Sequence, residues 1–337
     1  KSEYKDKKII QKKIEKNEIN IIFGTHALFQ KKIIFRKLGL IIIDEQHKFG
    51  VNQRKKLSDK GGDNCDVLLM SATPIPRTLT MTIYGDMDLS IIREKPKSRK
   101  EVKTYSKLEN KIDDIIEFIK KEINNGNQIF WVCPLIEESK KIDHSSSIKK
   151  YEFLKKKFPN QVALLHGKTE IDEKNKILDN FLNQKYKILV STTIIEVGID
   201  FPNANVIIIE NANKFGLSQL HQLRGRVGRG NKQSYCSLMF KSSLSENAKK
   251  RLQILKDSTD GFRISEEDMK LRGFGDILGF KQSGIKIFKI ADPIHNGDLF
   301  KLAEQQIKFI EKNNTSISKY KTLIKLYDKA DIINDIV

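Results

Sequence analysis

Asp44 and Glu45 stand side by side behind an oily run, in the stretch LGLIIIDEQHKFG. At the end of a strand such a pair could hold a Mg2+ ion and orient or deprotonate a water that attacks a phosphate. The run Leu40 to Ile43 has four consecutive apolar residues, three of them β-branched, which suits a parallel strand covered on both faces. Ligands of open α/β sheets sit beyond the carboxyl ends of the strands, where loops gather polar groups that a core cannot hold. The same pair would also serve to cap a following helix, and the residue types alone leave both roles open.

A triphosphatase needs a second part, a phosphate cradle of the form G-x-x-x-x-G-K-S/T. Gly167, Lys168 and Thr169 supply its last three positions, but Val162 stands where the first glycine belongs and Ala163 to Leu165 read as strand interior, so this stretch is a decoy. No other G-K-S/T occurs in the chain. A second stretch that could meet phosphate is QLHQLRGRVGRG, residues 219 to 230. There Arg224, Arg226 and Arg229 alternate with Gly225 and Gly228. Close glycine packing would let the guanidiniums project toward one phosphate as arginine fingers, although an exposed nucleic-acid-contacting loop has the same composition.

The elements that must position these groups alternate. INIIFGTHA, LGLIIIDEQH, DVLLMSATP, QIFWVCP, QVALLHGKT, KILVSTT, ANVIIIENA and SYCSLMF read as short strands that end in polar loops, with helical patterns such as KIDDIIEFIKKEINNG between many of them. That order predicts an α/β fold with largely parallel sheets. Residues 94–104, charged and without apolar periodicity, read as a linker between two such domains, 1–93 and 105–245. Two helix-like stretches and a Gly-rich loop follow over 246–292. In the tail, 293–337, Leu299, Leu302, Ile307 and Ile310 fall near the spacing of a packing helix.

With 62 Lys plus Arg against 43 Asp plus Glu, the formal charge is +19, which favours a polyanionic partner. Lys, Ile and Asn are all abundant, so part of that charge reflects composition rather than function. Cys65, Cys133 and Cys236 are far apart and suggest neither a zinc site nor a disulfide framework, as in a reducing cytoplasm. No apolar run is long enough to span a bilayer. The chain opens at Lys1 without Met and reads as a fragment.

The order IIIDEQH, SATPIPRT, STTIIEVGID, QLHQLRGRVGRG resembles the motor core of superfamily-two helicases, over residues 22 to 284. Within that superfamily the phrases GTHALF, DEQHKFGVNQR, SATPIPRTLTMT, WVCPLIEES, TTIIEVGIDFPNANVIIIENA and DGFRISEEDMKLRGFGDILGFKQSG look closest to RecG, the bacterial branched-DNA helicase. The transcription-repair coupling factor shares the last of them only in part. The resemblance implies two RecA-like parallel-sheet lobes, the first incomplete, then a helical hairpin and C-terminal helices.

It further implies ATP and Mg2+ as cofactors and branched duplex DNA as partner of a cytoplasmic monomer with no membrane attachment. Asp44 and Glu45 would be the Mg2+-associated acid and the water-activating carboxylate, and Gln46 and His47 would link hydrolysis to the facing lobe. Ser71, Ala72 and Thr73 would couple nucleotide state to closure. Gly198, Asp200 and Gln222 would line the nucleotide cleft, and Arg226 and Arg229 would reach the γ-phosphate. Gly24, Thr25 and His26, with Thr192, would track a DNA strand, while Arg272 and Gln282, with Gly273, Gly275 and Gly284, would form a translocation loop. Phe274 departs from the family's smaller or cyclic residue there. The family's wedge domain and phosphate cradle are both missing from these residues, so the chain alone is expected to be inactive in hydrolysis. The alternatives are a non-hydrolysing nucleic-acid-binding module and a fragment of a coupling factor.

Overall fold

The computed structural model describes residues 4–30, 32–45, 60–62, 64–71, 88–94, 96, 99–134, 140–167, 169–192, 200–241, 243–272, 296–313, 317–320 and 322. Two compact units divide the chain: 1–74 with 288–290 and 301–337, and 75–287 with 291–300.

In the first unit, helix α1 (Tyr4–Glu15) and a 3-10 turn (His26–Phe29) precede two parallel strands, β1 (Leu40–Ile43) and β2 (Asp66–Leu69). Ile41 and Ile43 are buried against Leu38, Cys65, Val67 and Leu69. Among the described residues the expectation of a strand covered on both faces is not met, since Leu40 and Ile42 are each 55% exposed. The stretch INIIFGTHA is not a strand either. Among the described residues no strand pairs with it, its carboxyl end turns into the 3-10 helix, and Ile21 and Phe23 are exposed.

The second unit is built on six parallel strands in the order β3-β8-β7-β4-β6-β5. They are β3 (Lys103–Leu108), β4 (Gln128–Val132), β5 (Val162–Leu165), β6 (Ile188–Ser191), β7 (Ala204–Ile209) and β8 (Tyr235–Phe240). Central strands β4, β6 and β7 are buried at every position, as a parallel sheet with helices on both faces requires. On one face Ile129, Trp131, Ile188 and Ile208 meet α2 (Ile112–Asn124) and α3 (Lys140–Lys157) through Ile119 and Leu154. On the other, Phe130, Leu189, Ile207 and Leu238 meet α4 (Ile171–Leu182) and α5 (Leu217–Arg224) through Phe181, Leu220 and Leu223.

Strand β3 opens at Lys103, two residues inside the stretch expected as linker. Its half-exposed edge position allows the charges that hid it. Helices α6 (Glu246–Asp257) and α7 (Gly261–Arg272) pack Leu252, Leu255 and Ile264 into the second face's core, so this hairpin is part of the second unit. Ser245 caps α6, its hydroxyl accepting the Ala248 amide at 3.3 Å. Helix α8 (Gly297–Lys312) forms at the expected spacing, but it is not the buried packing helix anticipated: Leu299, Leu302 and Ile307 are all exposed. The three cysteines are free, and no described helix is long and apolar enough to cross a membrane.

Candidate nucleotide and nucleic-acid sites

Asp44 and Glu45 follow β1 at the carboxyl edge of its sheet. Ser71 stands at the same edge, because β1 and β2 run in register (Ile43 opposite Leu69) and the Met70 amide continues the ladder to Ile43 O at 2.8 Å. Asp44 is exposed and its Oδ1 accepts the Glu45 amide at 2.8 Å. Glu45 lies in the left-handed region, at φ +51°. For a residue with a side chain that conformation costs about 1–2 kcal/mol, and such strain gathers where a side chain must be aimed. Mg2+ asks for one or two carboxylates and takes its other ligands from water and phosphate. The Asp44–Glu45 pair fits that demand; no group of three metal-binding side chains occurs among the described residues. Gln46, His47, Ala72 and Thr73 lie outside the described residues.

Gly24 and Thr25 lead into the 3-10 turn, and His26 is its first residue; the His26 side chain is outside the described ones. A Cβ on Gly24 would stand 2.7 Å from Leu28 Cγ, so only glycine lets Leu28 fold back over the turn. Thr25 occupies the cap position with an exposed side chain that makes no capping bond. In the second unit Thr192 ends β6, its amide reaching Leu165 O at 3.4 Å, which brings it beside the turn after β5. In that turn Thr169 Oγ1 accepts the His166 amide at 3.2 Å and lies 3.3 Å from His166 Nδ1. The His166–Thr169 turn, dismissed as a false phosphate cradle, is thus a strand-end turn next to Thr192. Its visible signal was the polar run directly after a buried strand.

The three arginines separate. Arg224, the last residue of α5, is 3% exposed, and its Nη1 donates to Leu255 O at 2.6 Å and Ser258 O at 2.8 Å, the carbonyls at the end of α6. Its Nη2 lies 3.1 Å from His221 Nδ1. Burial pushes its pKa down, opposed by the nearby Cys236 and Glu101. The expectation that Arg224 joins its neighbours at a phosphate is therefore overturned: helix phase turns it inward with Leu220 and Leu223, and it serves as a cap for α6. Val227 and Gly228 are buried next, and Gly228, at φ +76°, would put a Cβ 2.9 Å from Val102 Cγ2. On either side of this pinned pair stand half-buried Arg226 and exposed Arg229. Arg229 Nη1 is 3.7 Å from Asp200 Oδ1, so the structure joins two residues that the sequence left separate. Gln222 is half-buried on α5.

Helix α5 is also held at its start, where Ser218 Oγ donates to Asp268 Oδ2 of α7 at 2.5 Å. Arg251 of α6 donates to Phe215 O and Asn213 O just before α5. The element carrying the arginine loop is thereby bolted to both helices of the hairpin. Arg272 is the last residue of α7, with its side chain outside the described ones; Gly198, Gly273, Phe274, Gly275, Gln282 and Gly284 also fall outside. A further group had no signal in the sequence. Lys150 pairs with Glu210 at 2.7 Å and lies 5.2 Å above the Trp131 ring, and Glu210 Oε2 accepts from Cys133 Sγ at 3.5 Å. These residues tie the carboxyl ends of β4 and β7, and burial holds the Cys133 thiol far above its ordinary pKa.

A parallel sheet flanked by helices, an acid pair at one strand end and an arginine loop after a helix define a class, the superfamily-two helicase motor. Two family models agree: DEAD/DEAH box helicase matches residues 2–82, and the helicase conserved C-terminal domain matches 110–231. The particular family follows from the rest of the chain, where the model for the C-terminal part of domain 3 of the ATP-dependent DNA helicase RecG matches 258–329. Over most of its length the chain is similar to RecG helicases. It is 48% identical over 303 residues to the ATP-dependent DNA helicase RecG of Bacillus subtilis, covering 89% of this chain and 44% of that one. It is 44% identical to that of Thermotoga maritima, covering 95% and 41%. A solved structure of RecG bound to a three-way DNA junction superposes with a TM-score of 0.65 at 42% identity, over 89% of this chain and 38% of that one. The chain thus spans less than half the length of these relatives.

Proposed function

We propose that these residues are the motor portion of an ATP-dependent DNA helicase that works on branched DNA, replication forks and Holliday junctions among it, in repair and recombination in the cytoplasm. The first lobe is 1–93, and 94–104 leads to the second lobe. Residues 246–292 form the translocation hairpin and loop, with the tail at 293–337. The observation that carries the reading is the arginine loop, where buried Val227 and Gly228 fix the backbone while Arg226 and Arg229 stand on either side of it.

Bound ATP and Mg2+ would supply the reacting phosphates and neutralise part of their charge. Asp44 would hold the ion, and Glu45, aimed by its left-handed backbone, would take the proton of the attacking water. Arg229 leaves Asp200 to meet charge on the γ-phosphate together with Arg226, while Gln222, Gly198, Ser71 and Thr73 line the nucleotide. Gln46 and His47 relay the change to the second lobe. Gly24, Thr25, His26 and Thr192 meet phosphates of the tracked strand. Movement of the arginine loop is carried by α5 through its bolts into the hairpin, and Arg272 and Gln282 push on the duplex.

The test has two parts. The 337-residue chain should bind a fluorescein-labelled three-way junction more tightly than linear duplex of equal length, without ATP turnover, since it contains no G-x-x-x-x-G-K-S/T to position phosphates. Joined to the upstream portion of the Bacillus subtilis relative, it should hydrolyse ATP, and Glu45→Gln should lower kcat by about 100-fold or more while junction binding stays. Equal affinity for junction and duplex, or near-normal turnover with Glu45→Gln, would sink the reading. The absent cradle and the charge of +19 favour one second reading for the chain by itself, a nucleic-acid-binding module that does not hydrolyse.

A further inference from the structure

We propose that Lys60 is a charged clasp that sets the shape of the turn after Gly24, Thr25 and His26, its ammonium filling a cage of three backbone carbonyls. The inference rests on the reading of that turn as a DNA contact. Lys60 Nζ lies 2.6 Å from Gln30 O, 2.7 Å from Ile33 O and 3.2 Å from Leu28 O. An ammonium has three N–H donors, and here all three find acceptors within one six-residue stretch. That stretch is the exit of the 3-10 turn His26–Phe29, where carbonyls gather at the end of the turn and favour a cation; Gln30 O, which also accepts from Ile33 N at 3.0 Å, uses its second lone pair. The Phe35 ring stands 5.8 Å from the same ammonium.

Besides the bonds inside the 3-10 turn itself, Leu28 N reaches Thr25 O, Gln30 N reaches Ala27 O and Ile33 N reaches Gln30 O, each at 3.0–3.2 Å. Such a short segment holds one conformation poorly without an outside anchor. Lys60 gives that anchor from a tight base. A Cβ on the next residue, Gly61, would fall 2.3 Å from Cys65 Cβ, so the backbone from Lys60 packs closely on the bend entering β2. β2 in turn pairs in register with β1, which leads into Asp44. The clasp therefore fastens the strand-contacting turn to the two strands that carry the acid pair. Convergent backbone carbonyls are also how proteins hold a small monovalent cation. Lys60 is in effect a tethered cation, and a free one can replace it.

The experiment compares Lys60→Ala and Thr25→Ala in the full 337-residue chain, reading amide exchange and the Kd for a labelled three-way junction. Lys60→Ala should speed exchange at Leu28, Gln30 and Ile33 by tenfold or more, leave Ile42 and Leu68 unchanged, and raise Kd roughly tenfold. Replacing tetramethylammonium chloride by ammonium chloride at constant ionic strength should bring Kd back within threefold of the unsubstituted chain. Lys60→Arg should not recover it, because a planar fork does not fit three convergent carbonyls. If Thr25→Ala weakens binding while Lys60→Ala leaves exchange and Kd unaltered, the clasp is wrong and the DNA reading stands. If Thr25→Ala leaves Kd unaltered, the turn is no DNA contact and both fall. Should Lys60→Ala unfold, Lys60→Met under the same ammonium exchange gives the same decision.

Discussion

Replacing Arg224 by Met tests most directly whether the arginine stretch divides as described. Met approximates the length of the side chain but removes the donors to Leu255 O and Ser258 O at 2.6 and 2.8 Å, leaving two carbonyls at the end of α6 buried without partners. A hydrogen bond to a charged group is worth about 1.5–3 kcal/mol, so two give about 3–6 kcal/mol gross. Burying a guanidinium that is 3% exposed offsets part of this, which leaves a loss of about 3 kcal/mol. With a urea slope of about 2 kcal/mol per molar, the midpoint should fall by about 1.5 M. Trp131, the single tryptophan, is fully buried in the same unit, so its fluorescence reports this transition without labelling. A midpoint lowered by less than about 0.3 M, in a variant of the completed chain that has lost ATP turnover, would show that Arg224 faces a phosphate after all.

Two more expectations concern the same unit. Burial pushes the Cys236 thiol from its ordinary value of 9.0 up to about 12, so above pH 9 the unfolded chain loses a proton that the folded one keeps. Stability is then full below pH 9 and falls by about 1.4 kcal/mol per pH unit up to about 12, with Cys133 acting in the same direction. Urea midpoints at pH 8, 9 and 10 should show the fall and Cys236→Ala should reduce it; equal slopes in both proteins would refute the assignment. Gly228→Ala forces a side chain to φ +76° and to 2.9 Å from Val102 Cγ2, costing about 2–3 kcal/mol and lowering Tm by about 4–12 °C in calorimetry. An unchanged Tm would mean that the loop is not pinned there.

The parallel architecture was legible because β4, β6 and β7 are apolar at nearly every position, and only a sheet covered on both faces has use for that pattern. Strand β3 was not. At an edge four of its six residues are exposed to water, so KTYSKL carries the charges of a linker while pairing in register with β8. The stretch INIIFGTHA failed in the opposite sense: its composition suits a strand, but strands need a neighbour and composition does not name one. The acid pair was found from residue type and position behind β1, yet the left-handed backbone at Glu45 had no sequence mark, since glutamate is not a residue one expects there. Arg224 was misjudged because an alternation of Arg and Gly says nothing of helix phase. The last turn of α5 extends through Arg224 and points it inward. Lys60 and the Lys150–Glu210 pair join residues far apart in the chain, and nothing local announces such contacts.

The open face of the first unit has a consequence for the life of the polypeptide in a cell. Leu40, Ile42, Leu68 and Met70 form a small oily strip on a two-stranded parallel ribbon. Exposed apolar strips of this kind attract other chains, and holdase chaperones recognise the same feature. Synthesised by itself at high level, this stretch of sequence should collect in inclusion bodies or co-purify with chaperones through its front end. The six-stranded unit, whose sheet is covered on both faces, should remain the protease-resistant remnant.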